Sequence, residues 1–417
     1  MHSFSDINAL DTFWVTFTSL LVLLMVIPGM ALFYAGMVSR KNTLSVVIQV
    51  TSAFVVGLFL WVIFGYSIVF TEFNSIIGGL DKIGLKGTVN LSQETFLIIG
   101  NIPELSFVIF QGIFAGLSCA LIVGALVERI KLVCLLVFVT IWFVFSYLPV
   151  AHMVWFSSES HPGWLFKRGA LDFAGGTVVH INAGAAAIVG ALMIGRRKGF
   201  DKEILKPHNL IMTYIGVAFL WVGWFGFNSG SALEMSFNAI ISFFNTLIAG
   251  LIGLLTWAFI DQIKHKKISL LGLCSGLISG LVGITPAAAY VGFLGAIFIS
   301  IITTVCCYFV VELIKHRYKI DDSLDVFGIH GMGGVIGALL TGIFCFQFFG
   351  GTQSGGFIDL LWQLWIQLEG VLITLIWSCS VSFVGIKILH LVFKEPRVSL
   401  EQETQGLDIS LHSESIY

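Results

Sequence analysis

Two acid–histidine pairs carry the most chemistry in this 417-residue sequence. "LDFAGGTVVH" (171–180) sets Asp172 ahead of His180 at the head of the apolar run "TVVHINAGAAAIVGALMIG". "LDVFGIHGMGG" (324–334) sets Asp325 ahead of His330 at the head of another. If 172–195 is helical, Asp172 and His180 lie about 12 Å apart along its axis. That is too far for the carboxylate to orient the ring, so an intramembrane enzyme built on an Asp–His dyad is the weakest reading. Each aspartate reads instead as a helix-start residue that accepts backbone N–H bonds and complements the helix dipole. Direct contact with a cation is the alternative for Asp172. A lone buried histidine is ordinarily a satisfied packing residue. Two brought together are different, because a neutral imidazole is both donor and acceptor. Such a pair can share one proton and line a path for a small polar solute or a relayed proton. No third ligand lies beside either ring, so no metal is expected, and no cofactor is implied.

The elements that must position these rings are membrane helices. The chain is 57% hydrophobic and 11% charged, with a mean hydropathy of +0.95. A soluble domain carries about twice that charged share. Apolar runs exceeding the roughly 20 residues needed to cross a bilayer recur along the whole sequence. The short alternating segments of a transmembrane β-barrel are absent. The expected fold is an all-α polytopic membrane protein with eleven spans: 11–37, 43–70, 102–127, 132–154, 172–195, 209–229, 237–260, 269–286, 288–313, 325–348 and 360–393. All but four of the 22 Lys and Arg residues (the exceptions are Lys82, Lys86, Lys167 and Arg168) fall in odd-numbered loops or towards the C-terminal end. Lys202 is among those in the odd-numbered loops. Basic residues mark the cytoplasmic side, so the N-terminus is expected outside and the C-terminus in the cytoplasm.

Eleven spans divide as five plus five plus one. A tandem five-span unit enters the membrane in opposite senses, which predicts two inverted repeats, about 11–195 and 209–348, and a last helix at about 360–393. Together these form a transmembrane domain over 1–393, followed by a polar tail, 394–417. The shared Leu-Asp…His pattern of spans five and ten supports the repeat. His180 and His330 then approach the midplane from opposite sides, at the kind of repeat interface where transporters place their sites.

Ionisable residues within a membrane are costly and are functional candidates by default. Besides those above, Glu128 sits at a span end, and His152 and His390 read as packing or interface residues. Aromatic faces bind cations through their quadrupole. Phe110 and Phe114 lie one helical turn apart, Trp224 and Phe227 are three apart, Trp155 closes "AHMVW", and Ser231 adds a hydroxyl. Each aromatic also fits an ordinary core or interfacial role. Gly272, Gly276 and Gly280 form a small-residue face for close helix packing. The seven cysteines read as apolar packing residues.

The segments "PGMALFYAGMV", "GALVERI", "PVAHMVW", "LDFAGGTVVHINAG", "GWFGFNSGSA", "GLVGITP", "DVFGIHGMGG" and the tail's "GLD" occur in an order that resembles the ammonium transporter family, of which the Rhesus proteins are distant relatives. The resemblance covers nearly the whole chain. It implies eleven helices around a narrow pore in each subunit of a homotrimer in the cytoplasmic membrane, carrying ammonium, ammonia or methylammonium in nitrogen uptake. It implies that Phe110, Trp155 and Ser231 form an external recruitment site. Phe114 and Phe227 would be a stacked gate with Trp224 beside it, and His180 and His330 the pore pair. Asp172 would be a structural residue near the site. The tail would be a regulatory segment that couples subunits and receives a PII-type signalling protein.

One departure is visible. "FSSESHPGWLFKRGAL" (156–171) is longer, more aromatic and more basic than the short glycine-rich link of the family. It bears on the outer mouth. The competing readings are a sensor of the same fold that signals through the tail, and a pore for another solute such as carbon dioxide, water or a metal ion.

Overall fold

A computed structural model describes residues 1–200 and 206–416. Lys202 and the last tail residue, Tyr417, lie outside the described residues. Among those residues, eleven helices are long and apolar enough to cross a membrane. They are α1 Ala9–Met37, α2 Arg40–Phe70, α3 Glu104–Leu126, α4 Leu132–Trp155, α5 Gly176–Ile194, α6 Leu210–Gly230, α7 Phe237–His265, α8 Leu270–Ala287, α9 Phe293–Arg317, α10 Phe327–Phe344 and α11 Phe357–Phe393. Every expected span is matched, with ends that differ by a few residues. The protein is a multi-pass membrane protein.

The burial pattern follows the solvent. α3 is buried over most of its length, while α11 exposes Ile358, Trp362, Ile376 and Leu391 around its outside. Apolar surface left open in this way suits a hydrocarbon environment, where backbone groups must be satisfied within each helix. Close contacts inside the bundle use small residues. A side chain at Gly253 would come within 2.3 Å of the Gly276 carbonyl oxygen, and one at Gly280 within 2.2 Å of that of Ala249. α7 and α8 therefore pack backbone to backbone along the expected glycine face.

The two ends of the bundle differ. On the N-terminal side, residues 71–103 form a lid of turns with two short antiparallel ladders, Val89–Asn90 with Thr95–Phe96 and Ile98–Ile99 with Ile102–Pro103. His2 pairs with Phe96 and ties the N-terminus to this lid. Residues 156–171 lie beside it and contain a short helix, Trp164–Arg168. Arg168 bonds Glu369 of α11 at 2.8 Å, which anchors the segment to the last helix. On the opposite side the tail forms two short helices, Leu400–Gln405 and Leu407–His412, folded against the loops between spans.

Candidate functional site

The two histidines meet at the crossing of α5 and α10. Gly175, with φ +109°, turns the chain into α5. Asp172 then accepts hydrogen bonds from the backbone N–H groups of Gly175 (3.1 Å), Thr177 (2.9 Å) and Val178 (3.1 Å). This satisfies donors that a helix start leaves open. Both histidines lie in wider, π-type first turns, 176–181 and 327–331, a variation frequent at functional positions. A side chain at Gly184 would come within 2.4 Å of Gly331 Cα, so the helices cross with no side chain between them. His180 Nδ1 and His330 Nδ1 are 3.2 Å apart, with ring planes 21° from parallel. His180 Nε2 is buried without a hydrogen-bond partner among the described residues.

The capping aspartate of α10 is not Asp325. Asp322 accepts from Val326 (3.0 Å), Phe327 (2.8 Å) and Gly328 (3.3 Å). Asp325 points to Lys315 at 2.7 Å and has φ +59°, outside any helix. The repeat register is therefore Asp172 to Asp322 and His180 to His330, each an offset of 150 residues. In both repeats the cap precedes its histidine by eight positions. The matching Leu-Asp dipeptide at 324–325 is three residues out of register.

Above the histidine pair, on the N-terminal side, stands an aromatic stack. Phe114 and Phe227 lie face to face, with centroids 4.1 Å apart and planes 9° from parallel. Phe227 is 5.9 Å from His180, and Trp224 stacks on His180 at 5.5 Å while its indole N–H donates to Thr285 Oγ1. Beyond Phe114 opens a cavity of about 420 Å³, walled by Phe70, Phe107, Gln111, Phe114, Trp155, Phe156, Phe173 and Ser231 among others. Trp155 is fixed by its indole N–H on the Asp172 carbonyl oxygen (3.0 Å), which links the cavity wall to the cap of α5. Ser231 donates to the Phe227 carbonyl (2.9 Å), leaving its oxygen lone pairs as acceptors. Phe110 differs from its expected place. It is fully buried behind Phe114, centroids 4.9 Å apart, and does not form part of this wall. Past the histidines the space narrows to about 10 Å³ between Met25, Phe33, Tyr34, Leu117, Leu121 and Leu220. That leaves room for about one small molecule.

Comparison with known proteins bears on this arrangement. Residues 13–417 match the model of the Ammonium Transporter Family. The chain belongs to the ammonium transporter family. An ammonium transporter of Bacillus subtilis is 42% identical over 408 residues, covering 98% of each chain. Among solved structures, Saccharomyces cerevisiae Mep2 matches with a TM-score of 0.85 at 34% identity, covering 95% of this chain and 91% of that one. A structure described as a sensor Amt protein matches with a TM-score of 0.87 at 27% identity, covering 97% and 98%. The family and its Bacillus subtilis member are ammonium transporters and not enzymes, and this family member is likewise no enzyme.

Two further polar clusters of this family member were not evident as units in its sequence. His152, expected to pack, is buried with both ring nitrogens 2.8 Å from carbonyl oxygens, those of Val69 and Asn74. On the tail side, Glu128 bonds Arg197 at 2.5 Å and accepts from Ser39 and Asn42. Arg197 also bonds Asp321 at 2.8 Å. Burial opposes ionisation of both carboxyls, but Arg197 outweighs it and holds each below its usual range. Arg129 is fully buried and donates to the carbonyls of Ala125 and Asp321 at 2.7 Å each. Burial lowers its guanidinium to about 10, against the pull of Asp321. Asp322 is pushed up to about 7 by burial and by Asp325.

The tail is bound into this cluster. Asn42 gives its amide N–H to Glu128 and its oxygen to Leu407 N–H (2.7 Å), so it does not cap the α-helical part of α2, which begins at Thr43. Asp408 takes that role, accepting from Leu44 (3.1 Å) and Ser45 (2.8 Å). Glu403 accepts from Lys198 N–H (2.5 Å) and from Arg397 (2.7 Å). His390, the other histidine read as a packing or interface residue, is exposed near the end of α11, which leaves the interface alternative.

Proposed function

We propose that this protein carries ammonium across the cytoplasmic membrane, admitting it at the N-terminal side and passing it inward between His180 and His330. The observation that carries the reading is the single file of cavity, Phe114–Phe227 stack and histidine pair. A bare ammonium ion in hydrocarbon bears a heavy desolvation cost, whereas ammonia bears none of that charge. Trp155, Phe114 and Ser231 recruit the cation, with Phe110 supporting Phe114 from behind. Aromatic faces contribute about 2 kcal/mol or more to a desolvated cation. The Phe114–Phe227 stack is the gate that excludes water, with Trp224 on its inner side. Below it the imidazoles share the proton that ammonium gives up and accommodate the neutral species. Asp172 acts structurally, by fixing Trp155 and the start of α5. Methylammonium is the natural analogue substrate.

The same reading sets the N-terminus outside and the tail in the cytoplasm, consistent with the basic residues of the tail-side loops. It expects a homotrimer, and a PII-type regulator where the cell has one, received at the docked tail.

The test is current recorded from purified protein in liposomes on adding ammonium, beside a variant with His180 and His330 both replaced by leucine. A saturating current in the parent that is lost or altered in selectivity in the folded variant supports the histidine path. Unchanged electrogenic uptake in the variant refutes it. Uptake without current means net ammonia conduction. Binding with neither uptake nor current would favour a sensor, a reading supported by the likeness to the sensor Amt structure.

A further inference from the structure

We infer that Gln111 is a substrate-contacting, selectivity-determining residue of the outer cavity, whose amide oxygen accepts an N–H of the ammonium ion. The inference rests on the transport reading above and adds a residue to it.

Three observations converge on this side chain. Gln111 belongs to the wall of the 420 Å³ cavity. It follows Phe107 by four residues and precedes Phe114 by three, and both of those line the same cavity, so the three share one face of α3. Its Oε1 is buried and has no hydrogen-bond partner among the described residues. As placed, this oxygen faces away from the open cavity and is left unpaired, which is uncommon for a buried amide oxygen. Rotation about the last side-chain torsion exchanges Oε1 with Nε2, and a cation in the cavity selects the rotamer that turns oxygen towards it.

The rest of the wall leaves few other acceptors. Most of the lining is apolar or aromatic, and the Trp155 indole has already donated its N–H to Asp172. The polar side chains are Ser231, Gln111 and Ser157, and Ser157 is exposed at the rim. Aromatic faces attract any small cation and discriminate weakly. Directional acceptors discriminate by counting N–H groups. Ammonium offers four in a tetrahedron. Methylammonium offers three and must turn a methyl group to one of the four directions. With acceptors at both Ser231 and Gln111, ammonium donates two of its N–H groups and turns the other two to aromatic faces, and methylammonium can match this only in orientations that keep its methyl on an aromatic face. If Gln111 becomes apolar, both ions lose a charge-assisted hydrogen bond, but methylammonium offsets the loss by turning its methyl group to the apolar side chain, which ammonium cannot do.

The experiment measures half-saturating concentrations for ammonium and methylammonium currents in liposomes, for the parent, Gln111→Met and Gln111→Glu. Gln111→Met keeps the length and removes the acceptor. It is expected to raise the ammonium value about tenfold and the methylammonium value about twofold or less. Gln111→Glu keeps an acceptor and adds charge, so it should lower the ammonium value. Ammonium and methylammonium values that move together in Gln111→Met overturn the proposal. If Gln111→Met does not fold, as read by gel filtration in detergent, an unchanged ammonium value in Gln111→Glu overturns it instead. A parent that gives neither ammonium current nor uptake would sink the transport reading itself, and is thereby distinguished from failure of the Gln111 assignment.

Discussion

Between His180 Nδ1 and His330 Nδ1, 3.2 Å apart, there is room for one hydrogen. One ring must donate through Nδ1 while the other accepts, so the two neutral imidazoles hold opposite tautomers. Nitrogen NMR of histidine-labelled protein should show one buried imidazole protonated at Nδ1 and one at Nε2. Two Nε2-protonated rings would contradict the bond. Replacing His330 by leucine strands His180 Nδ1 as it strands Nε2 already, and should lower stability by about 1–3 kcal/mol in thermal unfolding.

The Phe114–Phe227 stack lies between the outer cavity and the narrow space beside the histidines, and the proposed reading makes it the barrier to water. Phe114→Ala removes one face of it and leaves a gap where water can stand. We expect osmotic water permeability of proteoliposomes to rise in the variant, measured by stopped-flow light scattering. Stability should fall by about 3–5 kcal/mol, as for other buried Phe→Ala changes. A variant as watertight as the parent would assign the barrier elsewhere.

Arg197 holds Glu128 and Asp321 ionised on the tail side. Both carboxyls sit below their usual range in the folded chain, so the unfolded chain binds more protons in acid. Their contribution to stability is full above the ordinary carboxyl pKa of about 4 and is lost as pH falls through the folded values. Arg197→Met strands two buried carboxylates and should cost about 3–5 kcal/mol near neutral pH, and less in acid, where they protonate. Asp322 runs the other way. Its carboxyl is raised to about 7, so its contribution is present in acid and is lost as pH rises through that value. Melting temperature against pH for the parent, Arg197→Met and Asp322→Asn separates the two trends.

Asp408 caps α2 from the tail. Asp408→Ala should cost about 1 kcal/mol, a typical value for a lost cap. It should also raise hydrogen exchange at 43–46 and proteolysis within 399–412, while ladder protection inside α2 stays the same. Protection of Leu44 and Ser45 equal to that of the parent would show the cap to be dispensable.

The spans were legible because burial in lipid demands long apolar runs whatever the neighbours are, so hydropathy alone located all eleven. The pairing of His180 with His330 was legible from the odd repeat. The tertiary details were not. Asp322 hid behind the more conspicuous Leu324-Asp325, although its eight-residue lead over His330 repeats that of Asp172 over His180 and was there to be counted. Arg129, Arg197 and Asp321 looked like ordinary loop charges, because nothing local shows that groups more than a hundred residues apart will neutralise one another out of water. Phe110 and Gln111 are neighbours on α3. Which of them faces the cavity depends on the rotation of that helix, and a helix buried on nearly all sides carries no polar stripe to reveal it.

The cap of α2 also has a timetable. Leu44 and Ser45 wait for a carboxylate some 360 positions further along the chain. At about 5–20 residues per second, synthesis leaves that helix start open for roughly 20–70 s after it has been made. Nine further membrane-crossing helices, α3 to α11, are made during that interval. The tail-side cap of α2 is therefore set only after every membrane-crossing helix has been made, and until then the start of the second helix stands open to water.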